Sequence, residues 1–141
     1  MNETSPKILI SACLIGCNCR YDGRNQRRTE MVKLHEEGHA IAVCPEELGE
    51  LETPRPPCER IGHHILSIDG SDRTDFYVKG AQKALEMAQK QNVTVAYLKS
   101  KSPMCGYKQI YDGTFSGKLT EGHGFFAELL VAAGIHIHSV E

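Results

Sequence analysis

Two cysteines in this chain end short apolar runs and a third lies just past another, and two of the three stand beside a group able to handle a proton. Cys13 follows Ile8-Leu9-Ile10-Ser11-Ala12. Cys44 follows Ala40-Ile41-Ala42-Val43 and precedes Pro45 and Glu46. Cys105 lies in Leu98-Lys99-Ser100-Lys101-Ser102-Pro103-Met104-Cys105-Gly106, just after Ser102. A thiolate is a nucleophile or a soft metal ligand, so thiolate chemistry is the leading question. Pro45 fixes the chain between thiol and carboxylate, the rigid support an acid/base group needs. Each site also has a plainer reading. Cys44 could be a small core hydrophobe beside a solvated acid, and Ser102-Pro103 could open a turn over a buried Cys105.

Three further cysteines compete for a role. Cys17 and Cys19 share the first loop with Cys13, and Cys58 follows the run Thr53-Pro54-Arg55-Pro56-Pro57. A local zinc knot from Cys13, Cys17, Cys19 and a fourth thiolate is one alternative, because structural zinc sites are closed by four ligands. The spacing C-x3-C-x-C with no second knuckle departs from the usual zinc pattern.

The elements that must position these groups follow from apolar periodicity. Strands are expected to end near Cys13 and at Cys44, with a helix over 28–37 capped by Gly38 between them. Residues 45–60 read as a functional loop, too rigid and polar for a core element, and 64–68 as an irregular edge strand. Thr74 is expected to cap a helix to about Asn92 that places Phe76, Tyr77, Ala81, Leu85 and Ala88 on one face. Val93 to Leu98 is a third strand feeding the loop 99–122. A helix carrying Phe125, Phe126, Leu129, Leu130 and Ala133 closes at Gly134, and 135–140 is a fourth strand. This alternation predicts an α/β fold: a small, mainly parallel, Rossmann-like sheet of about four strands with helices on both faces. In such sheets ligands sit beyond the carboxyl ends of the strands, so Cys13, Cys44 and Cys105 are expected to converge there.

Composition narrows the function. The chain of 141 residues, 40% of them hydrophobic, reads as a single α/β domain over 1–141 whose folded part is 7–141. A formal net charge of -2 supplies no global attraction for nucleic acid or anionic lipid. No apolar run approaches the length of a membrane span, and Ile8 to Ile10 is too short for a signal segment ahead of Cys13, so the expected compartment is cytoplasmic. The basic cluster Arg20, Arg24, Arg27 and Arg28 reads first as a solvated loop, with phosphate contact as the alternative. Gly113 to Lys118 is one residue short of a P-loop. His63-His64 and the His136, His138 pair receive no metal role.

Four blocks in order, SACLIG followed by RYDG, CPEELGELETPRPP with Glu59, LKSKSPMCG, and IYDGTFSGKLTEG, resemble a family of short bacterial proteins long catalogued as of unknown function and now associated with thiouracil desulfidases. The resemblance implies a [4Fe-4S] cluster held by only three protein thiolates, here Cys13, Cys44 and Cys105, with one iron open. It also implies acid/base roles for Glu46 and Ser102. Cys17, Cys19 and Cys58 are extra to the family pattern, and a fourth thiolate from the first loop would close the open iron.

The implied reaction replaces C=S by C=O in a thiolated pyrimidine, consuming water and releasing hydrogen sulfide without net redox change. An open iron can polarise the thiocarbonyl, Glu46 can take the proton of the attacking water, and Ser102 can relay a proton or hold the tetrahedral centre. A flat neutral base calls for an apolar or aromatic wall, for which Tyr21, Tyr107 and Tyr111 are available. Free base or nucleoside is preferred over nucleic acid as the partner. The competing class is a non-catalytic zinc-binding or persulfide-carrier module.

Overall fold

The computed structural model describes residues 7–141. Four strands form one parallel sheet in the order β2 (Ala40–Val43), β1 (Lys7–Ser11), β5 (Val93–Lys99), β8 (His136–Val140). Successive strand residues point to opposite faces, and the sequence exploits both. Leu9, Val43, Ala96, Leu98 and Ile137 meet helices α3 (Thr74–Lys90) and α4 (Phe125–Ala132) on one face. Ile8, Ile10, Ala42 and Tyr97 belong to the second cluster, which includes Met31 and Leu34 of α1 (Thr29–Glu36) on the other. A sheet covered on both faces explains why β1 and β2 are built around unbroken apolar runs. Helices on both faces of a small parallel sheet are what the sequence predicts.

The helix boundaries agree with the apolar periodicity. Gly38 follows α1 and Gly134 follows α4, with φ of 82° and 79°, the left-handed conformation that glycine adopts without a Cβ penalty. The start of α3 differs. Asp72 Oδ1, rather than Thr74, accepts the first helical amide, that of Thr74, at 2.8 Å. Thr74 Oγ1 instead accepts the Ile65 amide at 2.9 Å. The buried face of α3 is Tyr77, Gly80, Ala81, Ala84 and Ala88, and Phe76 is exposed. Small residues on that face let the helix lie close to its neighbours, which displaces the bulky Phe76 outward.

Two regions expected as loops contain regular structure. After Cys44 the chain turns through one helical turn, α2 (Pro45–Leu48), with Pro45 at a position where its missing N–H costs nothing. Cys58–Ile61 (β3) pairs antiparallel with His64–Ser67 (β4), so the irregular edge strand is one half of a regular hairpin. Gln109–Tyr111 (β6) and Leu119–Glu121 (β7) form a second hairpin within the expected loop 99–122. Gly113 and Gly117 both have positive φ and lie in its turn, so they serve the hairpin and not a phosphate loop.

Candidate active site

Each of the three strand-end thiols is fixed by backbone close to its strand. β1 runs into a single 3-10 turn, Ala12–Ile15, which holds Cys13; the Cys13 carbonyl accepts the Gln26 amide at 2.9 Å. Cys44 is the residue at which β2 becomes α2, and its carbonyl accepts the Leu48 amide at 3.1 Å. Cys105 sits in a turn stapled to the start of α4. Phe125 donates to the Pro103 carbonyl at 2.9 Å, Phe126 to Met104 at 2.8 Å, and Gly124 to Gly106 at 2.8 Å. Any side chain at Gly124 would strike the Met104 and Cys105 backbone, so glycine is required for this close approach.

All three thiols line one cavity of about 470 Å³, together with Glu46 and Ser102. The geometry expected of the strand ends is therefore present. Cys19 and Cys58 line the same cavity, whereas Cys17 is exposed and does not. The zinc knot of Cys13, Cys17 and Cys19 is not assembled. Among the described residues, the group of metal-type donors whose ligand atoms lie within 4.8 Å of one another is Cys19, Cys44 and Glu47.

Protonation in this cluster is set by burial and by the sulfurs themselves. Burial, reinforced by Cys44 and Glu46, pushes the Cys13 thiol up to about 12. Burial likewise pushes Cys105 well above its ordinary value, with Glu46, Cys13 and Cys44 adding to it against a hydrogen bond to Ser11. Cys44 is lowered, because the Cys19 thiol donates to it and the Glu47 amide adds a second hydrogen bond, together outweighing burial. The Cys13, Cys44 and Cys105 sulfurs thus sit close enough to repel one another as anions. Three soft donors crowded around one cavity fit an iron-sulfur cluster, whose irons supply the missing positive charge.

Glu46 is held by partners from two other segments. Its Oε2 accepts the Tyr77 hydroxyl at 2.9 Å and faces Arg55 Nη2 at 3.2 Å. The Arg55 side chain is 2% exposed. It also donates to the carbonyls of Glu52 at 3.0 Å and Cys19 at 3.1 Å and to Thr53 Oγ1 at 2.9 Å, while Nε has no protein partner. One guanidinium therefore ties the carboxylate to the loop bearing Cys19. Burial pushes the Tyr77 phenol well up, with the Glu46 charge adding to it, so it stays a hydrogen-bond donor.

Ser102 Oγ accepts the Cys105 amide at 2.7 Å, which closes the turn and leaves its O–H free to donate. Ser11 Oγ accepts the Lys99 amide at 3.1 Å from within the same wall. Glu59, largely buried on β3, accepts the amides of Gly113 at 2.9 Å and Phe115 at 3.0 Å through one oxygen, Oε1. That pins the β6–β7 turn beside the cavity that Tyr111, Phe115 and Gly117 help to line.

Not every residue expected at the site is there. Tyr21 and Tyr111 line the cavity, but Tyr107 does not and instead stacks on His123 at a centroid distance of 5.2 Å. Of the arginine cluster only Arg20 lines it; Arg28 bonds the Glu141 carbonyl and Gln26 Oε1. His138 stacks on Tyr97 at a centroid distance of 4.8 Å and does not line the cavity. Arg55 and Tyr77 were not assigned from sequence. Arg55 carried a signal, a lone charge among Pro54, Pro56 and Pro57, whereas Tyr77 looked like any core-facing helical aromatic.

Known proteins resemble this chain in sequence and fold. A sequence family described as 2-thiouracil desulfurase matches residues 8–141. The uncharacterized protein YbbK of Bacillus subtilis (strain 168) is 42% identical over 142 residues, spanning 94% of each chain. The solved structure of the [4Fe-4S]-dependent thiouracil desulfidase TudS (DUF523Vcz) superposes with a TM-score of 0.91 at 42% identity, covering 96% of this chain and 91% of that one. The family match covers nearly the whole chain, and the chain belongs to the 2-thiouracil desulfurase family.

Proposed function

We propose that this protein is a [4Fe-4S]-dependent desulfidase that hydrolyses a thiolated pyrimidine such as thiouracil to the oxo base and hydrogen sulfide. The observation that carries the reading is the convergence of Cys13, Cys44 and Cys105 with Glu46 and Ser102 on one cavity. Cys13, Cys44 and Cys105 would hold the cluster through their thiolates. When bound, the cluster supplies a Lewis-acidic iron that draws electron density from a thiocarbonyl carbon.

The remaining work falls to the chain's own groups. Tyr77 and Arg55 both engage Oε2 of Glu46, which leaves Oε1 to take the proton of a water approaching that carbon. The Ser102 hydroxyl, its oxygen already accepting from Cys105, donates its hydrogen to the developing oxyanion. Tyr21, Tyr111 and Phe115 give the flat base an aromatic wall, and a cavity of about 470 Å³ holds a base or nucleoside. Water contributes its oxygen to carbon and its protons to sulfur, so the thiocarbonyl and one water give the carbonyl and one hydrogen sulfide with no electron donor.

Incubation of the anaerobically reconstituted protein with thiouracil should release uracil and sulfide in equal amounts without added reductant. Sulfide release that requires a reductant contradicts the hydrolytic reading, and no release contradicts the activity itself.

A further inference from the structure

Cys19 is buried in the wall of the same cavity, yet the three-thiolate cluster leaves it without a role. Its sulfur faces that of Cys44. The two Sγ atoms and a Glu47 carboxylate oxygen lie within 4.8 Å of one another, and Cys44 Sγ also lies 3.9 Å from the Cys19 carbonyl. Irons of a cubane hold their terminal thiolates apart, whereas a single tetrahedral ion gathers its ligands closely. Zinc–sulfur bonds of about 2.3 Å and zinc–oxygen bonds of about 2.0–2.2 Å place tetrahedral ligands about 3.5–3.8 Å from each other. A bound ion would draw the Cys19, Cys44 and Glu47 ligand atoms in from their present separations of up to 4.8 Å.

Its surroundings tolerate a cation. Arg55 donates to the Cys19 carbonyl at 3.1 Å but faces Glu46 at 3.2 Å and is neutralised by it. Glu47 is exposed, so water can complete the fourth position. Two thiolates with one carboxylate and one water are borderline-soft donors that suit Zn2+ over Mg2+ or Ca2+.

We propose that the cluster-free chain binds one Zn2+ through Cys19, Cys44 and Glu47, at a site distinct from the cluster ligand set but sharing its Cys44 sulfur. Binding forms two Zn–S bonds and one Zn–O bond and releases the two thiol protons to solvent. Zinc and the cluster are therefore mutually exclusive, and zinc holds Cys44 until iron-sulfur delivery displaces it. Only this exclusion rests on the cluster assignment; the zinc site stands on its own three ligands.

The test compares zinc binding by the full-length, iron-free, reduced chain with that of Cys19→Ser, Glu47→Gln and Cys105→Ser, using a competing chromophoric chelator. Circular dichroism checks that each variant is folded. The parent should bind one Zn2+ per chain and Cys105→Ser should bind it with unchanged affinity. Cys19→Ser should lose more than the roughly 10–100-fold that removal of an outer hydrogen-bond partner of a metal ligand costs. Glu47→Gln should weaken binding less than Cys19→Ser. Cobalt(II) in place of zinc should show tetrahedral bands with thiolate charge transfer in the parent and in Cys105→Ser, and lose intensity in Cys19→Ser. Parent-like affinity in Cys19→Ser, equal loss in Cys105→Ser, or no stoichiometric zinc in the parent overturns the proposal. Iron loading of the same four proteins is read separately: the parent and Cys19→Ser should take up a cluster and Cys105→Ser should not. A failed zinc site and a failed cluster assignment thus give different patterns.

Discussion

The hydroxyl of Tyr77, on a helix that looks wholly structural, donates at 2.9 Å to the carboxylate of Glu46, thirty-one residues earlier in the chain. That carboxylate, the proposed acid/base group, is thereby oriented from the core side of the molecule. Tyr77→Phe removes that donor and nothing else of the ring. The expected result is a fall in kcat with KM and iron content unchanged, and a stability loss of about 1.5–3 kcal/mol for a hydrogen bond to a charged acceptor. Steady-state kinetics with iron quantification, and chemical denaturation, check both parts.

Arg55 carries a second support. Its side chain is nearly inaccessible and pairs with a Glu46 side chain that is 18% exposed. Breaking such a pair from one side leaves the other charge without its partner, so Arg55→Met should cost about 3–5 kcal/mol in urea denaturation. It should also loosen the Cys19 loop, which Arg55 holds through the Cys19 carbonyl.

Glycine contacts hold α2, and hence Glu46, against α3. A Cβ on Gly80 would run into the Pro45 carbonyl, and one on Gly49 would run into that of Phe76. Gly80→Ala should therefore push the short helix away and destabilise the fold by about 1–3 kcal/mol, the usual cost of overpacking, although alanine favours helix in isolation. Activity should fall more than iron content. A stabilised and fully active Gly80→Ala would show that the two helices can separate without consequence.

Glu59 separates charge from hydrogen bonding. Its Oε1 accepts from both Gly113 and Phe115, so Glu59→Gln can keep the contacts through its amide oxygen while Glu59→Ala loses them. The expected outcome is a raised KM in Glu59→Ala, because the turn bearing Phe115 is released, with near-parental KM in Glu59→Gln. Hydrogen exchange at the Gly113 and Phe115 amides should accelerate only in the alanine variant.

Protonation gives a further handle, in the iron-free reduced chain. Cys44 is lowered by the Cys19 hydrogen bond, whereas burial raises Cys13 to about 12 and Cys105 well above its ordinary value. The thiolate is the nucleophile, so iodoacetamide near pH 8 should modify Cys44 before Cys13 or Cys105, as peptide mass spectrometry will read. A raised thiol keeps its proton in the folded state while the unfolded chain has lost it. Folded Cys13 thus binds more protons from about pH 9 to about 12, and over that window stability should fall with rising pH by up to about 1.4 kcal/mol per unit.

The parallel sheet and the strand ends were legible because apolar runs ending at Cys13 and Cys44, and at Leu98 ahead of Cys105, carry a local signal. Strand ends in a parallel sheet share one edge, so three local patterns were enough to place a non-local site. What could not be read was set by tertiary contact. The hairpins β3–β4 and β6–β7 consist of strands of three or four residues, too short for a period to emerge. The Glu46 partners, Arg55 and Tyr77, come from a proline-rich stretch and a helix face, and neither residue type announces a hydrogen bond across the chain. Tyr107 failed as a wall residue for the same reason, since His123 takes its ring elsewhere.

The proposed activity requires the sulfurs of Cys13, Cys44 and Cys105 to hold one inorganic centre. Iron, acid-labile sulfide and visible absorption should be measured after anaerobic reconstitution of the parent chain and of Cys13→Ser, Cys44→Ser, Cys105→Ser, Cys17→Ser and Cys58→Ser. The account predicts a brown parent with about four irons per chain, the same content in Cys17→Ser and Cys58→Ser, and none retained through gel filtration in the other three. A colourless parent, or a cluster that survives loss of Cys13, Cys44 or Cys105, would contradict it.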